Sequence, residues 1–228
     1  MLQQTQTFRV VPKYNAFLKT FATLGALAKA PLSHVLALWQ GLGYNRRALM
    51  LHRAAQVAMR SHSGKLPVSY EELLALPGIG PYTAGAVMVF AHNSSQVIIE
   101  TNIRGALIHE FFPRVRKVQD GRLVPLLAQA VPKKNTRQFY QALMDYGAFL
   151  KQKYPNPSRR SSHHSKQSKF EGSNRQIRGH IIRELARKAP LAATQLVLGD
   201  PLKCKVILDA LLSEGLVQRH KGRYRLPI

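Results

Sequence analysis

Leu76-Pro77-Gly78-Ile79-Gly80-Pro81-Tyr82-Thr83-Ala84-Gly85 is the stretch that decides the fold. Two closely spaced glycines interrupt an apolar run, which then restarts as a helix, so the segment predicts a hairpin between two helices. Gly78 and Gly80 can adopt the positive backbone dihedrals of a tight turn and carry no Cβ to hold another surface away. The N–H groups opening the second helix lack partners within it and lie at its positive dipole end. Gly78, Ile79, Gly80, Tyr82 and Thr83 therefore form an expected phosphate-binding loop. Further on, Val97-Ile98-Ile99-Glu100-Thr101-Asn102-Ile103-Arg104 sets one acid between an apolar strand-like run and a helical one. A phosphate clamp followed by a lone acid points to DNA chemistry.

Around this centre, helical spacing dominates the first 150 residues and the expected class is all-α. Phe17, Phe21 and Leu24 repeat at helical intervals, as do Leu32, Val35, Leu36 and Trp39 before Gly41-Leu42-Gly43-Tyr44 breaks the pattern. Ala48 to Met59 resumes as a helix, with Arg46, Arg47, His52, Arg53 and Arg60 mostly on its polar side. Ser69 and Glu72 make a capping box that starts the helix leading into the hairpin. Helices are also expected over Ile103 to Phe112, Leu123 to Val131 and Phe139 to Leu150. From Lys151 to Ser173 apolar residues nearly vanish, which predicts a basic linker or DNA-tracking arm. Beyond it, Ser173 with Gln176 opens a helix carrying Ile177, Ile181 and Leu185 and stopped by Pro190. A short helix follows to Gly199. Asp200-Pro201 then opens a third helix, ended by Gly215. A basic hairpin through Arg219, Lys221, Gly222, Arg223 and Arg225 completes an expected winged helix. The expected domains are 1–150, the arm 151–173 and the winged helix 174–228.

The 228 residues carry 34 Lys plus Arg against 11 Asp plus Glu, a net charge of +23. An excess of that size needs an acidic partner, and double-stranded DNA is the expected one. No stretch reaches the roughly 18 apolar residues of a spanning helix, and no basic-then-apolar leader opens the chain. The expectation is a cytoplasmic, nucleoid-associated monomer with no membrane partner. Cys204 is the only cysteine, which rules out an internal disulfide and a cysteine-ligated cluster. His163 and His164 lack a third ligand at useful spacing, so no metal site is expected.

Five motifs carry a resemblance to the helix-hairpin-helix DNA glycosylases, most of all to the MutY-type adenine glycosylases. They are Met1-Leu2-Gln3-Gln4-Thr5-Gln6, Trp39 to Tyr44, Leu76 to Gly85, Glu100-Thr101-Asn102, and Met144-Asp145-Tyr146-Gly147-Ala148. They stand in the family's order over residues 1 to about 150. The resemblance implies base-excision repair: a base is flipped out of the duplex and its bond to the sugar is hydrolysed. It places Glu100, where the family has aspartate, beside the sugar cation. Read by residue type alone, Glu100 could instead pair with Arg104 or cap the helix. Tyr82 stands where related lyases carry a Schiff-base lysine, which a phenol cannot replace. The enzyme is therefore expected to be monofunctional, with Tyr82 a hydrogen-bonding neighbour of the acid unless it is an ordinary core tyrosine. Asn102 matches an asparagine lying against the flipped nucleotide, or is a turn residue. Asp145 is expected to cap or brace a helix near the site.

Gln3, Gln4 and Tyr44 match positions that enter the duplex, with Leu42 as an apolar wedge and Gly43 expected among the DNA-binding residues. Three departures qualify the resemblance. The family's proton-donating glutamate precedes the methionine that is residue 1 here. The four cluster cysteines that should follow Gly147 are replaced by a basic segment, where Arg159, Arg160, Lys166 and Lys169 are expected to grip DNA instead. The family's usual C-terminal domain is replaced by the winged helix. The expected substrate is adenine opposite G or 8-oxoguanine. The alternatives are thymine or uracil, which need less protonation to leave, or a non-catalytic DNA-binding protein.

Overall fold

The computed structural model describes residues 1–167 and 169–228; Ser168, within the expected arm, lies outside the described residues. Helices α1 (Thr7–Thr20), α2 (Leu24–Lys29), α3 (Leu32–Trp39), α4 (Arg46–Ser61), α5 (Tyr70–Ala75), α6 (Pro81–His92), α7 (Thr101–Phe111), α8 (Asp120–Ala130) and α9 (Thr136–Lys153) come first. Then come α10 (Asn174–Lys188), α11 (Pro201–Ser213) and the strands β1 (Gln218–His220) and β2 (Arg223–Arg225), which pair antiparallel. The protein is mostly helical, in agreement with its spacing pattern.

Two compact units share the chain. The first comprises Met1–Leu66, Leu76–Gly78 and Ser168–Ile228, the second Pro67–Ala75 and Ile79–Gln167. These units cut across the boundaries expected at 150 and 173. In the first, α10 packs on α3, and the Ser33 N–H donates to the Pro227 carbonyl at 3.0 Å. Val35, Leu36 and Trp39 share one apolar core with Ile181, Leu211 and Leu226. Composition could not foresee this, because each segment's apolar stripe is compatible with either its own small core or a shared one. His52, expected on a polar face, is buried there, with Nε2 bonded to the Ala30 carbonyl at 3.0 Å.

In the second unit, α7 packs against α8 and α9 around Ile103, Ile108, Leu123, Leu127 and Tyr140. The expected arm is partly built into this unit. Pro157–Arg160 forms a turn of 3-10 helix, with Ser158 and Ser161 buried. Asn156 Oδ1 accepts from the Ser158 N–H at 3.1 Å and from its hydroxyl at 2.7 Å. A parallel bridge joins Val118 to Ser161. Arg160 donates to the carbonyls of Ile108, Phe112, Pro113 and Val115 at the end of α7. Polar composition predicts exposure only when internal partners are missing, and here they are supplied.

Arg104 binds both oxygens of Asp120 at 2.7 Å. Those hydrogen bonds, aided by the charges of Arg104 and His163, hold the Asp120 carboxyl below its ordinary value of 3.8, against a smaller opposing effect of burial. A depressed folded-state value means the stabilisation is full above the unfolded value and lost as pH falls through the folded one. Thermal midpoints measured from pH 7 down to 2 should therefore fall less steeply for Asp120→Asn than for the wild type below about pH 4. At pH 7 the variant should be the less stable of the two.

Candidate active site

α5 and α6 pack as the predicted hairpin. Ser69 caps α5, its hydroxyl donating to Glu72 Oε2 at 2.7 Å. The two glycines do different work. Gly78 has φ +76, and a Cβ there would meet Met50 Cβ at 2.4 Å. Gly80 is extended, with φ −97 and ψ 175, so it does not use the positive dihedral expected of it. A Cβ on Gly80 would meet nothing within 4 Å, so this side of the loop is open to a ligand. Gly80 also offers α6 no side-chain cap, and Pro81 takes the first helical position. Beside it Ile79 is half-buried and Thr83 partly exposed. The arrangement is an uncapped helix start behind a bare loop, suited to an anion.

Glu100 is the N-cap of α7. Its Oε1 accepts from the backbone N–H of Asn102 at 2.6 Å and of Ile103 at 2.9 Å. Of the two bland alternatives, the helix cap is the one found; Arg104 is committed to Asp120 instead. The cap does not exclude chemistry, because it uses one oxygen and fixes the carboxylate's direction. Among the described residues nothing hydrogen-bonds Oε2. Burial, and next the charge of Glu100, push the Tyr82 hydroxyl above its ordinary value of 10.0. Tyr82 is therefore a neutral phenol close enough to feel the carboxylate, and it is 38% exposed, not a core tyrosine.

Three contacts that motif reading did not assign hold this acid in place. Tyr140, fully buried, donates to the Gln96 carbonyl at 3.0 Å and accepts from the Ile98 N–H at 3.0 Å. Gly85 lies so close to Ile98 that a Cβ would sit 2.7 Å from Ile98 Cγ2. Gly147 lies under the first turn of α7, where a Cβ would sit 2.1 Å from the Asn102 carbonyl oxygen. Both glycines belong to the quoted motifs, but their job is visible only once the helices are packed. Tyr140→Phe should cost about 2 kcal/mol, since it strands a buried donor and a buried acceptor. Urea unfolding with an unchanged slope would measure this.

Asn102 offers its side-chain oxygen to the Lys151 ammonium. Lys151, expected to begin the free arm, is thus part of the site. Asp145, expected to cap or brace a helix, is an exposed mid-helix residue of α9.

The residues expected to enter the duplex belong to the first unit. Gln3 and Gln4 are exposed, and Gln4 (φ 55) and Tyr44 (φ 48) are left-handed. Arg47 stitches this region together. Its guanidinium donates to the carbonyls of Met1, Leu42 and Gly43 at 2.9, 3.3 and 3.3 Å and lies over the rings of Trp39 and Tyr44. The Gly43 carbonyl also accepts from Trp39 Nε1 at 3.1 Å. Leu42 is 4% exposed and packs in the core, so it is not the wedge expected of it. A leucine between two glycines looks free in sequence, but the turn folds it inward. Arg159, Lys166 and Lys169 are exposed, whereas Arg160 is spent on α7 and is not available as a DNA grip.

A bare glycine hairpin between two helices followed by a fixed carboxylate defines the class: a helix-hairpin-helix DNA glycosylase fold. A helix-hairpin-helix motif model matches residues 61–90. A thermostable thymine-DNA glycosylase structure superposes with a TM-score of 0.58 at 27% identity, over 64% of this chain and 69% of that one. An adenine DNA glycosylase of Mycolicibacterium smegmatis is 32% identical across 99% of this chain and 84% of its own length. Another, from Buchnera aphidicola subsp. Baizongia pistaciae, is 38% identical over 66% of this chain, which spans only 43% of that protein. The chain belongs to the adenine DNA glycosylase family.

The iron–sulfur cluster that the resemblance brings to mind does not fit these residues. The one cysteine, Cys204, is buried in α11 with its thiol donating to the Leu198 carbonyl at 3.2 Å, and thiolate ligands are what such a cluster needs. Among the described residues no helix is long and apolar enough to cross a membrane.

Proposed function

We propose that this chain is a monofunctional DNA glycosylase of base-excision repair, excising adenine opposite G or 8-oxoguanine. The observation that carries the reading is Glu100: a carboxylate aimed by two backbone N–H groups, with its second oxygen unengaged. As the base leaves, positive charge develops on the deoxyribose, and a preoriented carboxylate stabilises it without reorganising. Tyr82, neutral and beside the acid, orients the sugar or the attacking water, and Asn102 with Lys151 lines the same helix start. The hairpin holds the backbone phosphate, Gln3, Gln4 and Tyr44 enter the duplex, and Gly43 lets the backbone approach it. Residues 174–228 are read as a winged helix, a reading supported by the backbone bridge from Leu191 to Tyr224 beside the β1–β2 hairpin. The protein acts as a monomer at the nucleoid and needs no cofactor.

A second reading, thymine or uracil excision, is favoured by the likeness to the thymine-DNA glycosylase. Duplexes carrying A, T or U opposite G or 8-oxoguanine separate the two by the abasic sites formed. Release of adenine supports the first reading, and release of thymine or uracil alone replaces it. Abasic sites from none of them would leave a non-catalytic DNA-binding protein.

A further inference from the structure

We propose that the outer face of the β1–β2 hairpin is a second DNA-contact surface, a clamp for the duplex phosphate backbone. The register sets the faces: Gln218 pairs with Arg225, Arg219 with Tyr224 and His220 with Arg223. Side chains alternate along a strand, so Tyr224, which is buried, marks the inward face. Arg219, directly opposite, lies over its ring at 5.8 Å. Gln218, His220, Arg223 and Arg225 then share the other face, on which His220 and Arg223 are exposed while Arg225 is half-buried with its Nε covered. Lys221 (φ 47) and Gly222 (φ 75) both have positive φ, the two-residue turn that keeps a tight hairpin rigid.

This face is charged in a way a merely structural hairpin does not need. Residues 218–225 hold four cations and no acid, with Lys221 at the turn and Arg223 exposed on the face turned away from Tyr224. Among the described residues the acids of this unit that form ion pairs, Glu184 and Glu214, take theirs from α10 residues and not from the hairpin. Lys221, in the turn, and Arg223 are both exposed and stand two residues apart, so their spacing suits a repeating polyanion better than one isolated carboxylate. Arginine forks also match phosphate geometry. The platform is firm: Tyr224 exchanges backbone hydrogen bonds with Leu191 at 2.8 and 2.9 Å, and Val217 and Leu226 on either side are buried. Little ordering is left to oppose binding. DNA is the occupant chosen because the whole chain carries +23 and belongs to a DNA-acting family.

The test uses the full chain with Lys221→Ala and Arg223→Ala combined, titrated against an undamaged duplex by fluorescence anisotropy across a salt series. Losing two phosphate contacts should lower the log–log salt slope by about 1.8 and weaken binding by roughly 60-fold at 0.1 M salt. The thermal midpoint should stay put, and the swap Lys221→Arg with Arg223→Lys should keep the slope. An unchanged slope in the alanine variant overturns the proposal, as does a polyglutamate peptide that competes as well as DNA at equal charge. Binding is read without excision, so this result is independent of whether the chain releases a base.

Discussion

Glu100→Gln should lower single-turnover excision by about 10²–10³-fold, the usual loss when one preorganised electrostatic group is removed, while duplex affinity changes little. The argument rests on how little else the substitution alters. Gln keeps an oxygen able to accept from Asn102 and Ile103, so α7 keeps its cap; what goes is the negative charge. Quantifying abasic sites by alkaline cleavage, with anisotropy on the same duplex, separates the two effects. A parallel loss of affinity would mean that the substitution had disturbed the fold.

Gly147→Ala should be the most damaging single-methyl change in the second unit. Its Cβ would fall 2.1 Å from the Asn102 carbonyl oxygen and 2.6 Å from the carbonyl carbon, and backbone cannot swing aside as a side chain can. Alanine favours a helix over glycine by about 1 kcal/mol, but overpacking a filled site costs about 1–3 kcal/mol and occasionally more, and a clash with backbone stands at the upper end. Steric cost wins, and the first turn of α7, with Glu100 upon it, has to move. Urea unfolding should show the loss, and excision should fall with it even where the protein is still folded. Gly121→Ala is the control: a Cβ there meets nothing, so it should be neutral or slightly stabilising.

The hairpin, the acid and most helix positions were legible in sequence because each is a local signal: glycine punctuation, a cap or a 3.6-residue period. Ser69, Ser173 and Asp200 all cap as their spacing implies. What sequence left hidden is tertiary. Tyr140 is one aromatic in a helical stripe until its hydroxyl is found between Gln96 and Ile98. Lys151 looked like the first residue of a solvated arm because its partner, Asn102, stands 49 positions away. Leu42 is buried for a different reason: the dihedrals of the Gly41–Gly43 turn, and not the polarity of its neighbours, decide which way its side chain points. Arg160 shows the converse, a cation whose sequence context suggests DNA and whose geometry spends it on carbonyl groups.

The most direct measurement compares two abasic-site analogues in one duplex, a cationic pyrrolidine and a neutral tetrahydrofuran, bound by the wild type and by Glu100→Gln. A carboxylate that stabilises a sugar cation predicts that the variant loses at least about tenfold in affinity for the pyrrolidine, as transition-state mimicry requires, and almost none for the tetrahydrofuran. Equal affinity of both proteins for the cationic analogue would contradict the account and leave Glu100 as a helix cap alone.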